Sequence, residues 1–290
     1  MNLIMIRIFL TSLMIMTTAI CYGQPELKLN VMTFNIRLDT PVDSFNTWSN
    51  RKEFAAACID FYETDIVGLQ EVIHHQLDDL KHFLPEYGAL GVGRYDGKTK
   101  GEYCAIMYRK DRFDVLDSET FWLSENPTVA GKKGWDAACE RIVTWGHFKD
   151  RQTGKDFYFA NTHFDHIGKV ARRESSKLLL AKLKEIAKDK PVIVTGDFNS
   201  VPTSEAIKIL TDESNPERLL NTYDLSPLRY GPEWSFHNFG KTPVSKRVLV
   251  DYVFIRGNIK TGRYGIIYDK KDSGLYLSDH NPVLCTLIIE

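Results

Sequence analysis

The sequence predicts an α/β fold in which two mixed β-sheets lie face to face with helices on their outer faces. Three observations point there. Short β-rich apolar runs recur along the whole chain, and amphipathic helical patterns stand between several of them. One adjacent pair of runs is joined by a turn too short to hold a helix. A purely parallel sheet needs a helical crossover at such a point, so antiparallel pairing must be mixed in.

The first run is Lys28 to Asn35, followed by a predicted helix from Arg51 to Glu63 with Phe54, Ala55, Cys58, Ile59 and Tyr62 at helical spacing. Asp65 to Leu69 is the next strand, and His74 to Leu84 a helix with Leu77, Leu80, Phe83 and Leu84 on one side. Tyr103 to Tyr108 and Phe113 to Phe121 flank Arg109-Lys110-Asp111-Arg112, a hairpin-like composition. Arg141 to Lys149 and Phe157 to Thr162 follow as strands. Val170 to Ala187 sets Leu179, Leu180, Leu183, Ile186 and Ala187 between Lys and Glu, the pattern of a surface helix. Val192 to Thr195 is a strand, Thr203 opens a short helix through Leu210, and Val248 to Ile255 and Val283 to Ile289 are the last strands.

The start of the chain reads as a targeting segment. Arg7 precedes an apolar stretch from Ile8 to Ile20, and the small residues Cys21 and Gly23 suit cleavage before Gln24. The stretch is short for a membrane span, and no second one follows. The expectation is a signal peptide over residues 1–23, a single catalytic domain over residues 24–290, and an exported protein, periplasmic or secreted. A lipid anchor through Cys21 is the alternative, weakened by the bulky Ile20 before it. There is no internal repeat, low-complexity tract or long linker to divide the remainder. The formal charge of −1 moves to −2 without Arg7, which lacks the overall basic bias of a dedicated nucleic-acid binder. Cys58, Cys104, Cys139 and Cys285 stand in apolar or strand-like stretches without metal-site spacing, and read as small buried hydrophobes.

Six short motifs carry chemistry: Thr33-Phe34-Asn35-Ile36-Arg37, Gly68-Leu69-Gln70-Glu71, Asn161-Thr162-His163, Thr195-Gly196-Asp197-Phe198-Asn199, Val250-Asp251-Tyr252 and Ser278-Asp279-His280. Five of them follow or interrupt an apolar β-rich run, which puts carboxylates, amides and imidazoles at strand ends. Asp197 and Asn199 leave one side of the chain at period two. Glu71 at a strand end suits a hard cation such as Mg²⁺, although a carboxylate before a helix also balances the helix dipole. His163 and His280 are an acid–base pair, with Asp251 placed to serve His280.

Together these motifs resemble the endonuclease/exonuclease/phosphatase superfamily, over roughly Lys28 to Ile288. Each motif alone is weak; all six in the family's order are specific. The resemblance implies a four-layer α/β sandwich and a phosphohydrolase using Mg²⁺ or Mn²⁺. It implies that Asn35 and Glu71 lie on the metal side with Asp279 close to the same cation. It implies further that Asp197 and Asn199 orient the attacking water and hold the phosphate, and that Asp251 orients His280. By the same resemblance Glu102 pairs with His163, Arg141 contacts phosphate, and Arg37 is a second such arginine. Arg37 also stands where exonuclease-III-type members carry a carboxylate, which argues against a second metal. Asp165 and His166 either enter the cleft or cap the helix that follows.

The expected function is metal-assisted hydrolysis of a phosphodiester, nuclease-like, by in-line attack of water. The alternative is a small sugar phosphate, inositol phosphate or lipid head group. The segment Gly231-Pro232-Glu233-Trp234-Ser235-Phe236-His237 reads as a loop near the mouth suited to stacking. Among aromatic residues in loop-like positions are Trp48, Trp122 and Trp135. A non-catalytic binding protein on the same fold would have lost at least one of Glu71, Asp197, His163, Asp251 or His280, and all are present. The phosphoester substrate is the one partner the sequence suggests; no stable protein partner is evident. A membrane-associated phospholipase is disfavoured, because Phe121-Trp122-Leu123 leads into an ordinary strand exit.

Overall fold

The computed structural model describes residues 25–290; the expected signal peptide lies outside the described residues. In chain order the elements are β1 (Leu27–Asn35), α1 (Trp48–Phe61), β2 (Ile66–Val72), α2 (His74–Phe83), β3 (Tyr87–Leu90), β4 (Tyr103–Arg109), β5 (Phe113–Trp122), β6 (Ile142–Asp150) and β7 (Asp156–His163). They continue as α3 (Lys169–Ala187), β8 (Val192–Asp197), α4 (Glu205–Thr211), β9 (Leu220–Asn221), α5 (Thr222–Leu225), β10 (Leu228–Tyr230), β11 (Asp251–Arg256), β12 (Ile259–Ile266) and β13 (Val283–Ile289).

Two mixed sheets form. The seven-stranded one has the order β10-β12-β13-β1-β2-β4-β3, the six-stranded one β5-β6-β7-β8-β11-β9. Each has one parallel crossover near its centre: β1–α1–β2 in the first and β7–α3–β8 in the second. Parallel neighbours must be joined by such a crossover, and both then end at the same edge. The antiparallel neighbours bring their first residues to that edge. Asp251 at the start of β11 sits opposite Asp197 at the end of β8, and β13 runs back along β1 just after His280. Topology alone therefore gathers Asn35, Glu71, His163, Asp197, Asp251 and His280 at one rim.

Alternation fills the interface between the sheets. Val31, Ile66 and Ile106 from one sheet meet Phe157, Phe159, Ile193 and Val253 from the other in one buried cluster. The outer face of the first sheet holds a second cluster, in which α1 and α2 contribute Trp48, Ala55, Ile59, Leu77 and Leu80. On the other side α3 buries Leu179, Leu180 and Leu183, while its Lys and Glu residues stay outside. These are the four layers.

Below the rim, the apolar interface is interrupted by a polar crosspiece. Gln70 donates to Asn161 Oδ1 at 2.6 Å and to Thr33 Oγ1 at 3.0 Å. Asn161 in turn donates to the carbonyls of Leu69 (2.8 Å) and Ala105 (2.9 Å), and Thr195 donates to Asn161 Oδ1. Bonding of this kind is what makes buried amides tolerable; of these groups, Gln70 Oε1 is left without a partner. Gly68 is required here because an added Cβ would collide with Thr195 Oγ1 and the Asn161 side chain.

Candidate active site

The first wall of the cleft is acidic. Glu71 falls where β2 breaks register against β4, between Leu69 and Val72, and has φ of 61°. A bulge re-aims a side chain that would otherwise follow the pleat, at the cost of a strained backbone. Asn35 at the end of β1 donates to both Glu71 Oε1 and Asp197 Oδ2, each at 3.0 Å, tying the two walls together. Glu71 also accepts from the Leu38 amide. Burial opposes its ionisation, but His280, Asn35 and Arg37 outweigh burial and keep its pKa below the usual range. Asp279 goes the other way: burial, together with the charge on Glu71, raises it.

Arg37 is the shared counter-ion of this corner, and it is largely committed elsewhere. Its guanidinium forks onto Asp43 at 3.0 and 3.1 Å, and stands 3.7 Å from Glu71 and 3.9 Å from Asp279. The expectation of Arg37 as a free phosphate ligand thus meets an arginine already occupied by a neighbouring carboxylate. The buried Arg51 and the protonated His280 also act on the carboxylates of this corner. Its hard oxygen donors, Glu71, Asp279 and the Asn35 amide, are the chemistry a divalent ion such as Mg²⁺ prefers.

The second wall holds the histidines. Asp197 ends β8, and its Oδ2 lies 3.5 Å from His163 Nε2 and 3.7 Å from His280 Nε2. Burial and the nearby Asp251 push its pKa up to about 7. Burial alone would depress His280, but Asp251, bonded to Nδ1 at 2.8 Å, and Asp197 overcome it and hold the imidazole protonated well above its ordinary range. His163 is driven far below that range by burial and by the charges of Arg141 and Arg94. Asn199, at φ of 46°, donates to His163 Nε2 and to the Phe164 carbonyl, both at 3.0 Å. With Nε2 accepting, the ring proton belongs on Nδ1. Asn199 therefore anchors the imidazole, with both of its amide hydrogens in use. The ligand atoms of Asp197, Asp251 and His280 lie within 4.8 Å of one another, yet a protonated imidazole shared by two carboxylates is a proton-holding triad rather than a metal cage.

The third wall carries the arginines. Glu102 was expected to pair with His163; instead both its oxygens go to Arg94 at 2.7 Å, and it stays 3.9 Å from His163 Nδ1. Arg94 wins because a guanidinium offers a two-pronged match to a carboxylate. Arg141, buried, reaches His166 Nδ1 at 3.1 Å. Asp165 does not enter the cleft as a free group. It accepts from the amides of Ala138, Cys139, Ile167 and Gly168, which hold its pKa down at about 2 against the effect of burial. Cys139 departs from the expectation of a buried strand thiol: it is half-buried in a loop and lines the cleft, whereas Cys58, Cys104 and Cys285 are buried, and all four are free.

These walls enclose a cleft of about 620 Å³, a size that accepts a small molecule. Phe236 forms part of its mouth, with its ring centroid 4.9 Å from that of His280. Trp234, expected at the mouth, turns aside and packs against His237, Tyr268 and the guanidinium of Arg247. A larger hollow, about 770 Å³, is lined by β10, β12 and the end of α1 and shares no residue with the cleft.

A family model for the endonuclease/exonuclease/phosphatase family matches residues 32–280. The chain belongs to this family. A crystal structure of an endonuclease/exonuclease/phosphatase from Bacteroides vulgatus is 45% identical and superposes with a TM-score of 0.87, covering 91% of this chain and 100% of that one. A mannosyl-6-phosphatase of Bacteroides thetaiotaomicron is 38% identical, with a TM-score of 0.83 over 89% of this chain and 99% of that one. An uncharacterized mimivirus protein is 28% identical over 277 residues, 89% of this chain and 97% of its own. Of the Drosophila melanogaster protein angel, by contrast, the chain spans 59% of the length. Membership makes this endonuclease/exonuclease/phosphatase-family protein an enzyme of phosphoester hydrolysis.

Sequence reasoning about this family member missed Arg94, which lies outside the strand-end motifs. Arg94 sits in a glycine-studded segment, Gly91 to Gly101, where Gly93 packs against the backbone of Lys100. Such a segment folds tightly enough to pin a side chain beside Glu102.

Proposed function

We propose that this enzyme hydrolyses small phosphate esters of the sugar-phosphate class with the help of one divalent cation, Mg²⁺ or Mn²⁺, and that it works outside the cytoplasm. The observation that carries the catalytic reading is Asp197, standing between two buried histidines, one neutral and one protonated, and tied through Asn35 to the acidic corner of Glu71. Glu71 and Asp279 would hold the ion, with Asn35 beside them. When bound, such an ion neutralises charge developing on a phosphoryl oxygen.

The remaining work falls to the chain's own groups. Asp197, tied by Asn35 at Oδ2 and by the Asn199 amide at Oδ1, is fixed in direction and takes the proton of the attacking water. His280, clamped by Asp251, presents Nε2 toward the same point as a cation. There it stabilises the phosphoryl group as charge builds, or gives a proton to the leaving oxygen. Arg141 holds a non-bridging oxygen. His163 stays neutral and locked by Asn199.

Support for a small substrate comes from three sides. The 38% identity to a mannosyl-6-phosphatase spans nearly the whole described chain. The cleft, about 620 Å³, is on the scale of a small molecule, and the chain has no basic excess to follow a polynucleotide backbone. A phosphodiester of nucleic acid is the second reading, favoured by the Phe236 ring at the mouth, where a base could stack. Export rests on the leader-like residues 1–23.

The deciding experiment is a Mg²⁺/Mn²⁺ activity panel. It sets mannose 6-phosphate and other sugar phosphates beside inositol phosphates, sphingomyelin, bis-p-nitrophenyl phosphate, DNA and RNA, with His280→Ala as the blank. The expectation is turnover of sugar phosphates that disappears in EDTA and returns with either ion. Full activity in chelator would rule out the metal, and cleavage of polynucleotide alone at low salt would make the enzyme a nuclease.

A further inference from the structure

Four buried polar atoms without a hydrogen-bond partner crowd one end of the cleft. They are Nε of Arg94, Nε and Nη1 of Arg141, and Nδ1 of His163. Buried donors are nearly always satisfied, so four together call for a physical account. The void behind them, between Glu102, Tyr103, Cys104 and Ile142, admits no water. The acceptors nearby are all in use. Glu102 has both oxygens on Arg94, Asp165 is filled by four backbone amides and stands 3.6 Å from Arg141 Nε, an ion pair beyond hydrogen-bond reach, and His166 Nδ1 takes one nitrogen of Arg141. What this corner lacks is an acceptor with several oxygens, arriving from the cleft.

We infer that Arg94 and Arg141 form a two-guanidinium cradle for the terminal oxygens of the substrate phosphate, and that this cradle selects monoesters over diesters. The inference deepens the phosphoesterase reading above and rests on it. Both arginines line the cleft and are 5% exposed, so their charges are little screened. A phosphate monoester offers three terminal oxygens and carries close to two negative charges at neutral pH. A diester offers two and carries one, and its second ester chain would run into the closed end. Planar guanidinium forks suit such oxygens better than point charges do.

Two side chains hold the place meanwhile. His166 is exposed and gives way when a phosphate oxygen takes its position on Arg141. Glu102 surrenders one of its contacts to Arg94 and closes the present 3.9 Å gap to His163 Nδ1, the N–H that lacks an acceptor. Seating the phosphate thus supplies the missing acceptors on the arginines and completes the pair between Glu102 and His163.

The test uses the full chain in two assays. Inorganic phosphate is titrated calorimetrically into chelator-treated protein, and kcat/KM is measured in Mg²⁺ on mannose 6-phosphate and on bis-p-nitrophenyl phosphate. Arg94→Gln and Arg141→Gln should each weaken phosphate binding by about 10- to 100-fold, the scale of a lost charge-assisted hydrogen bond. The monoester kcat/KM should fall in step, and by about tenfold or more beyond the loss on the diester. Arg94→Gln combined with Glu102→Gln removes the carboxylate that the single variant strands. It should show the same loss of phosphate affinity, whereas recovery of wild-type affinity would reduce Arg94 to a support for Glu102. Equal losses on both esters, or phosphate affinity unchanged in Arg94→Gln, overturn the cradle. Failure of the wild type on both esters would sink the phosphoesterase reading and the cradle with it, a result distinct from an unselective loss.

Discussion

His163 and His280 are the same residue type, equally buried at 5% exposed, and 3.5 and 3.7 Å from the same carboxylate. The fold nevertheless keeps one neutral and the other protonated. Burial depresses both. On one side a carboxylate 2.8 Å away, Asp251, more than restores the proton; on the other, two guanidiniums drive it off. The difference teaches that the neighbour beyond the shared Asp197, rather than depth or residue type, assigns each imidazole its task.

Breaking the His280 side should cost most. Asp251→Asn removes the group that keeps the imidazole protonated, and His280→Ala removes the imidazole itself. Each is expected to lower kcat by about 10²-fold or more with the fold retained by circular dichroism. Asp197→Ala should do the same. Activity within threefold of wild type in these variants would dissolve the comparison.

The charge states themselves can be read by NMR of the imidazole C–H protons in metal-free protein. His280 should remain protonated through neutral pH, while His163 should remain neutral well below 6.5. Arg141→Gln should move His163 upward and leave His280 nearly still. Two rings titrating together near 6.5 would show that the neighbours do not matter.

Stability gives a subtler view, with opposite signs on the two sides. Below 6.5 the unfolded chain protonates at position 163 and the native protein does not, so stability falls as the pH drops from 6.5 toward the depressed native value. The contribution of His280 is fully present below 6.5 and is lost as the pH rises through its raised native pKa. In urea melts, His163→Asn should flatten the acid limb and Asp251→Asn the alkaline one. An acid limb of undiminished slope in His163→Asn would assign it to other groups.

The smallest catalytic effect is expected from Gly68→Ala. The new methyl presses on Thr195 and Asn161, at a cost of about 1–3 kcal/mol in a packed interior. The denaturant midpoint should fall while both imidazole titrations stay in place. A shift in either titration would mean that the packing between the sheets also sets the charges.

Much of this was legible in the sequence. The long runs from Leu27 to Asn35 and from Val192 to Asp197 declare themselves by composition, and α3 by its apolar stripe. β12 escaped notice because Gly262 and Gly265 interrupt Ile259–Ile266 and a bulge falls between Thr261 and Tyr264. β3, β9 and β10 are four residues or fewer, too short for any period to show. At the site, residues named by strand-end motifs could be found, because a strand fixes direction. Contacts between loops could not. Arg94 capturing Glu102, Asp43 capturing Arg37 and Cys139 turning toward the cleft all depend on how loops fold over one another, and no period in the chain encodes that.

The crosspiece of Gln70, Asn161 and Thr195 beneath the rim has one more consequence. The site is bipartite: Asn35, Glu71 and Asp279 ride on one sheet and its flanking loops, and His163, Asp197 and Asp251 on the other. Apolar side chains alone would let the two sheets slip along each other with little directional resistance. The amide bonds from Gln70 to Asn161, and from Asn161 to the Leu69 and Ala105 carbonyls, act as a dowel through that seam. They convert a slippery interface into a keyed one, so the spacing between the acidic wall and the histidine wall is set by hydrogen-bond length.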